Sequence, residues 1–150
     1  MILNNVLNTD ADYMFNLKQL NQKAQYQIMK DCNNYKCYYV FNLIYSEIQQ
    51  IDNCQNKCLY ICNGEKMALI DTAEFGFILD CTRLDIRRLL QRLQDRGYIK
   101  QINLDDAMNN LETDFGKYIK DNIGKIRIEF PSKYGYSITQ KGYDLINYSK

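Results

Sequence analysis

Residues 71 to 99 read DTAEFGFILDCTRLDIRRLLQRLQDRGYI, and their offsets spell two helices joined by a tight turn. Asp71 or Thr72 caps the first helix, with Thr72 carrying the preferred capping side chain, and the helix runs through about Leu79. Gly76 leaves room where the second helix packs on the first, and Asp80-Cys81 supplies a polar and then an apolar turn residue. Thr82 suits the start of the second helix, and Gly97 is the expected left-handed terminator. Between them, Ile86, Leu89, Leu90 and Leu93 recur at i, i+3, i+4, i+7, the spacing of a core-facing stripe. At about 100° per residue, Leu84, Arg88, Gln91 and Asp95 point directly away from that stripe. Arg87 and Arg92 flank them, and Arg83 lies at the helix start.

Charge is concentrated on this second helix. From Thr82 to Lys100 there are six basic and two acidic residues, a local +4. The whole chain carries only +1, so the remainder is −3. An even charge would leave nucleic-acid binding undecided; this asymmetry favours it.

Outward from the pair, the N-terminal side is helical. Asp12 can cap a helix from Tyr13, with Leu17, Leu20, Ala24 and Ile28 on its spacing. After the polar break DCNNYK, a second helix reads from about Tyr38 to Ile51, its stripe formed by Phe41, Ile44, Ile48 and Ile51. The run SEIQQIDNCQNK then carries the chain to the surface. Asn63-Gly64 suits a two-residue hairpin; the alternative is one short strand from Met67 to Ile70.

On the C-terminal side, Tyr98 to Ile102 is a strand. Residues 103 to 124 are polar, with room for a helix across Ala107 to Ile119. Lys125 to Phe130 alternates charged and apolar residues as a half-buried strand does, PSKYG turns the chain, and Tyr134 to Ile138 returns. Thr139 caps a last helix. The expected class is α+β and mostly helical: an N-terminal helical extension over 1–37 and one domain over 38–150.

Several classes of function are disfavoured. At 150 residues the chain is one ordinary domain with enough apolar content for a core. No apolar run reaches membrane-spanning length, and no secretory signal pattern opens the chain, so the cytosol is the expected location. There is no histidine, which removes imidazole acid–base chemistry and imidazole metal sites. The six cysteines are read as reduced thiols. Cys54, Cys58 and Cys62 follow a C-x₃-C-x₃-C pattern, unlike the paired C-x₂-C of zinc sites. On a strand, residues 58 and 62 would stand roughly 13 Å apart, too far for one metal. Asp71, Glu74 and Asp80 are read as capping and solvated carboxylates. No P-loop, dinucleotide fingerprint or nucleophile elbow is present. The expectation is a protein without catalysis or cofactor.

The segments Phe75-Gly76, Leu79-Asp80-Cys81-Thr82, Ile86 through Leu93, and Arg96-Gly97-Tyr98-Ile99, with the closing Tyr136-Ser137-Ile138-Thr139-Gln140-Lys141-Gly142, resemble the winged helix-turn-helix family of the MarR and related bacterial regulator type. The resemblance covers about 30 contiguous residues plus the closing segment. It implies a recognition helix over 82–96 docked in the major groove of double-stranded DNA, with a wing over 125–138 on the backbone. Arg83, Arg87 and Arg88 would reach guanine edges or phosphates, Gln91 adenine and Leu84 a thymine methyl, with Thr82 at the helix start and Arg92 on the flank of the same DNA-binding set. Lys125, Arg127, Lys133 and Tyr134 would contact phosphates from the wing. About 22 residues intervene before KIRIEF, more than the family uses, so the wing region is expected to be enlarged. The implied role is transcriptional regulation by a homodimer paired through the Tyr13–Ile28, Tyr38–Ile51 or C-terminal helices. Replication or partition of a plasmid or phage, and a winged helix that binds protein, are the alternatives.

Overall fold

A computed structural model describes residues 22–54, 60–110, 112, 114–122 and 133–148. It is an α+β fold, mostly helical, with a small antiparallel sheet. Two helices open the described chain, α1 (Gln22–Cys32) and α2 (Lys36–Gln50), followed by a single 3₁₀ turn, Ile51–Asn53. Strands β1 (Ile61–Cys62), β2 (Glu65–Lys66) and β3 (Ala68–Leu69) lead into α3 (Thr72–Leu79) and α4 (Arg83–Asp95). Then come β4 (Ile99–Asn103), two short helices α5 (Leu104–Asn109) and α6 (Asp114–Asn122), β5 (Tyr134–Ile138) and α7 (Gln140–Tyr148).

Helix α2 is buried nearly all round. Val40, Phe41, Leu43, Ile44 and Ile48 are inaccessible or almost so, and α1, α3, α4, β3 and β5 pack against it. A helix apolar on every side belongs at the centre of a domain. Each fully buried side chain of this size contributes roughly 1.5–3 kcal/mol of transfer free energy. Ala24, Ile28 and Cys32 of α1 enter the same core. The boundary drawn at residue 37 falls inside α2, and α1 shares one core with α2, α3, α4 and the sheet.

The three-stranded sheet has the order β3-β5-β4, so the last strand lies in the middle. Ile99 pairs with Ile138 and Asn103 with Tyr134 on one side, and Ala68 pairs with Tyr136 on the other. Strand alternation divides the interior in two. Ala68, Ile70, Tyr136 and Ile138 face the core built on α2, whereas Met67 and Leu69 face a smaller one with Cys62, Leu104, Ala107 and Phe115. The 103–124 insertion thereby acquires a structural job: α5, α6 and the β1–β2 hairpin cover the outer face of the sheet. Where one helix across Ala107–Ile119 was expected, two short ones form, broken at Asn110 and packed so closely that a Cβ on Gly116 would collide with the Asn110 carbonyl.

Other expectations shift in detail. The hairpin and the single short strand both exist: Asn63 (φ 54°) and Gly64 (φ 78°) turn β1 into β2, and β3 comes next. Helix α1 runs on to Cys32, past the expected end at Ile28, and the polar break shrinks to Asn33–Tyr35. Ser46 and Glu47 were expected to carry the chain outward; both are buried in α2. Asp71, not Thr72, caps α3, since its side chain accepts the N–H groups of Ala73 (2.9 Å) and Glu74 (3.3 Å). Residues 13–20 and the expected strand 125–130 lie outside the described residues.

Candidate nucleic-acid interface

The α3–α4 corner is built by close backbone approach. Helix α3 stops where Asp80 enters the left-handed region (φ 52°), and the Cys81 N–H donates back to the Gly76 carbonyl at 2.8 Å. A Cβ on Gly76 would sit 2.5 Å from the Cys81 carbonyl oxygen, so only glycine admits the chain here. Cys81 is half-buried against the core rather than fully inside it.

Helix α4 is then fixed at both ends. At its start Thr82 and Asp85 form a capping box: the Thr82 hydroxyl accepts the Asp85 N–H, and the Asp85 carboxylate accepts the Thr82 N–H, each at 3.1 Å. Those bonds, with Arg88 and Lys36 nearby, hold the Asp85 carboxyl below the usual range. At its end Gly97 N–H reaches Gln94 O (2.9 Å) and Tyr98 N–H reaches Leu93 O (3.0 Å), with Gly97 at φ 80°. That is the six-to-one and five-to-two pairing of a Schellman stop. Lys141 of α7 donates to Arg96 O (2.6 Å) and lies over the Tyr98 ring, while the Tyr98 hydroxyl bonds Asp31 of α1. Burial and the Asp31 bond push the Tyr98 hydroxyl pKa up.

Orientation is set by the buried stripe. Ile86, Leu89, Leu90 and Leu93 are all inside. Arg83, Leu84, Arg87, Arg88 and Gln91 emerge on the opposite side, with Leu84 52% exposed. Among the described residues, ion pairs form at Lys66–Asp52 (2.8 Å) and Lys100–Glu65 (3.0 Å), both away from this face, and Arg83, Arg87 and Arg88 form none. Gln91 donates to Asp95 at 2.8 Å, one turn along.

Arg92 stands differently from the other arginines. Its guanidinium donates to the Cys32 carbonyl at 2.8 Å, tying α4 to the end of α1. Thr82 has its hydroxyl committed to the cap. Lys133 is exposed at the foot of β5, where its carbonyl accepts the Leu104 N–H, and Tyr134 is half-buried in that strand. Lys125 and Arg127 lie outside the described residues. The fold thus brings Arg83, Leu84, Arg87, Arg88 and Gln91 onto one face and sets Lys133 and Tyr134 at the sheet.

Three features escaped the sequence reading. Lys36, at the start of α2, comes next to Arg88 and Arg92 although half a hundred residues separate them in the chain; no local periodicity marks such a pairing. Phe77 of α3 is 66% exposed. Glu74, read as solvated, has one carboxylate oxygen buried without a hydrogen-bond partner among the described residues, as does Glu47 of α2. Burial, and then the Glu74 charge, push the Glu47 carboxyl pKa up to about 8. Nearby on α2, the Asn42 amide and Ser46 hydroxyl are also buried without partners among the described residues.

Among the cysteines, Cys32, Cys37 and Cys62 are buried free thiols, and Cys54 is half-buried. Cys32 and Cys37 share a hydrogen bond that raises Cys37 and lowers Cys32. Cys58 lies outside the described residues. Among the described residues, no three His, Cys, Asp or Glu side chains gather as a metal group, and no helix is long and apolar enough to cross a membrane. Comparison with protein-family models, with curated proteins and with solved structures found no match.

Proposed function

We propose that the chain is a winged helix-turn-helix protein that binds double-stranded DNA, without catalysis, and regulates transcription. The order α2-β3-α3-α4-β4-β5-α7, with the final strand between the other two, supports that assignment. In this reading α4 enters the major groove, a passage wide enough for one helix. The β4–β5 connection is the wing, enlarged by α5 and α6.

The observation that carries the proposal is the face of α4. Three arginines, without ion pairs among the described residues, project from the side opposite a fully buried leucine and isoleucine stripe. Arginine is the commonest bidentate partner of guanine, and it serves phosphate equally. Arg83, Arg87 and Arg88 take those roles here. Gln91 reads adenine once it leaves Asp95, and Leu84 meets a thymine methyl. One helix of this length reads few bases, so a homodimer on a two-fold site completes the interface.

The test is fluorescence anisotropy with a mixed-sequence duplex over a range of salt, followed by selection of preferred sequences. Three phosphate-neutralising side chains predict a log–log salt slope of about −3 or steeper. Charge reversal at Arg87 and Arg88 together should abolish binding. Salt-independent association, or a doubly reversed variant that binds as well as the parent, would refute the proposal. The second outcome is the one a protein-binding role predicts.

A further inference from the structure

We infer that the cleft between the Asn34–Lys36 turn and the flank of α4 is a second contact for the same DNA, a seat for one backbone phosphate beside the groove-reading face. This inference rests on the DNA-binding reading above and extends it to a part of the fold that the helix-turn-helix itself does not include.

The cleft has a volume of about 340 Å³ and is bounded by Asn34, Tyr35 and Lys36 on one side and by Asp85, Arg88 and Arg92 on the other. A water molecule occupies about 30 Å³ of liquid, so a hydrated phosphate has ample room. Its charge is lopsided, with three cations against one carboxylate. Neither Lys36 nor Arg88 forms an ion pair among the described residues. Asp85 offsets part of that charge, but one of its oxygens is held by the Thr82 N–H.

Arg92 explains why this is a seat rather than a loose patch. Its bond to the Cys32 carbonyl anchors the guanidinium at 2.8 Å. A guanidinium has five N–H donors in a rigid fork, so most remain for an anion. The backbone N–H groups of Asn34, Lys36 and Cys37 are spent, on the Met29 carbonyl, the Asn34 side-chain oxygen (2.9 Å) and the Asn34 carbonyl. The attraction therefore comes from side chains, and among the described residues the Lys36 ammonium has nothing else to hold.

The occupant is a polyanion, not a small ion, because Arg88 belongs to both surfaces. It lines the cleft and it emerges on the exposed face of α4. A duplex lying on α4 passes its backbone across this flank, where a phosphate positions the protein without specifying sequence.

Lys36→Gln isolates the seat. It removes one charge, and the bond from the Lys36 backbone N–H to the Asn34 side chain is one that glutamine retains. Anisotropy on a mixed-sequence duplex should show the salt slope reduced in magnitude by about 1, with affinity lowered alike on every sequence tested. Lys66→Gln on β2, the same charge change at a lysine paired with Asp52 outside the cleft, should leave the slope unchanged. A parent protein with no salt-dependent DNA binding would remove the underlying reading and the seat together. A parent that binds, with Lys36→Gln keeping its slope or Lys66→Gln losing as much, would overturn the seat alone.

Discussion

Replacing Gly76 by alanine tests the corner on which the α3–α4 arrangement depends. The added Cβ would fall 2.5 Å from the Cys81 carbonyl oxygen, with the Cys81 and Thr82 carbonyl carbons at 3.5 and 3.6 Å. Ordinary contact begins near 3.4 Å, so the turn must retreat by about 0.9 Å. The obstacle is backbone, not the end of a flexible side chain, so it cannot swing aside. It is also tied in place by the Cys81 N–H to Gly76 O bond and by the Thr82–Asp85 capping box. Overpacking costs about 1–3 kcal/mol, and a fixed backbone obstacle places this site in the upper part of that range, at about 2–3 kcal/mol. Alanine recovers up to about 1 kcal/mol through its better helix propensity. The net expectation is a loss of about 1–2 kcal/mol, which for a domain of this size lowers Tm by roughly 2–8 °C. Urea denaturation followed by far-ultraviolet circular dichroism measures the first quantity and a thermal scan the second. DNA affinity should fall as well, because the start of α4 moves with the turn. A variant as stable as the parent, or more so, would refute the close approach, since only the helix-propensity gain would then be operating.

Other expectations rest on named contacts. Asp71→Ala removes the cap of α3 and should cost about 0.5–2 kcal/mol in urea denaturation, while Asp71→Asn should keep most of it; an alanine variant equal to the parent would mean the cap is idle. Tyr98→Phe deletes the hydroxyl that bonds Asp31 and should cost about 1–3 kcal/mol, read by the same assay, with α1 exchanging its amide hydrogens faster; unchanged exchange in α1 would show that the bond does not hold it. Glu47 gives a pH signature. Its folded pKa of about 8 lies above the unfolded 4.5, so the native state binds the extra proton between those values. Stability should be fullest below pH 4.5 as far as this group is concerned and fall by about 1.4 kcal/mol per pH unit as pH rises toward 8. Glu47→Gln should flatten that slope and leave the protein more stable at neutral pH; a slope that persists in the variant would assign it to other groups.

Most of the local rules written into residues 71 to 99 are readable from the letters alone. Both helices, the tight turn, the Thr82 start, the Gly97 stop and the buried Ile86, Leu89, Leu90 and Leu93 are properties of spacing within one helical rod, and spacing is visible in a line of letters. The exposed arginines are the complement of that stripe, so they were readable too. Capping was less legible: Asp71 and Thr72 both have capping side chains, and a one-residue choice depends on backbone angles that composition does not carry.

What the letters left open were relations between distant segments. The sheet order with β5 in the middle, the joining of α1 to the α2 core, and the second core under α5 and α6 all depend on which apolar faces meet, a matter of global packing. So does the fate of Arg92, which periodicity places on the flank and which the end of α1 claims through the Cys32 carbonyl. Lys36 shows the same thing in reverse, a residue with no local signature that acquires its neighbours only when two helices close on each other. Sequence by itself determined which side of α4 turns inward, because burial of a periodic apolar stripe is decided within the helix. Tertiary structure decided what the outward side meets within its own molecule, because a side-chain donor reaches a backbone carbonyl sixty residues away only once the chain has folded.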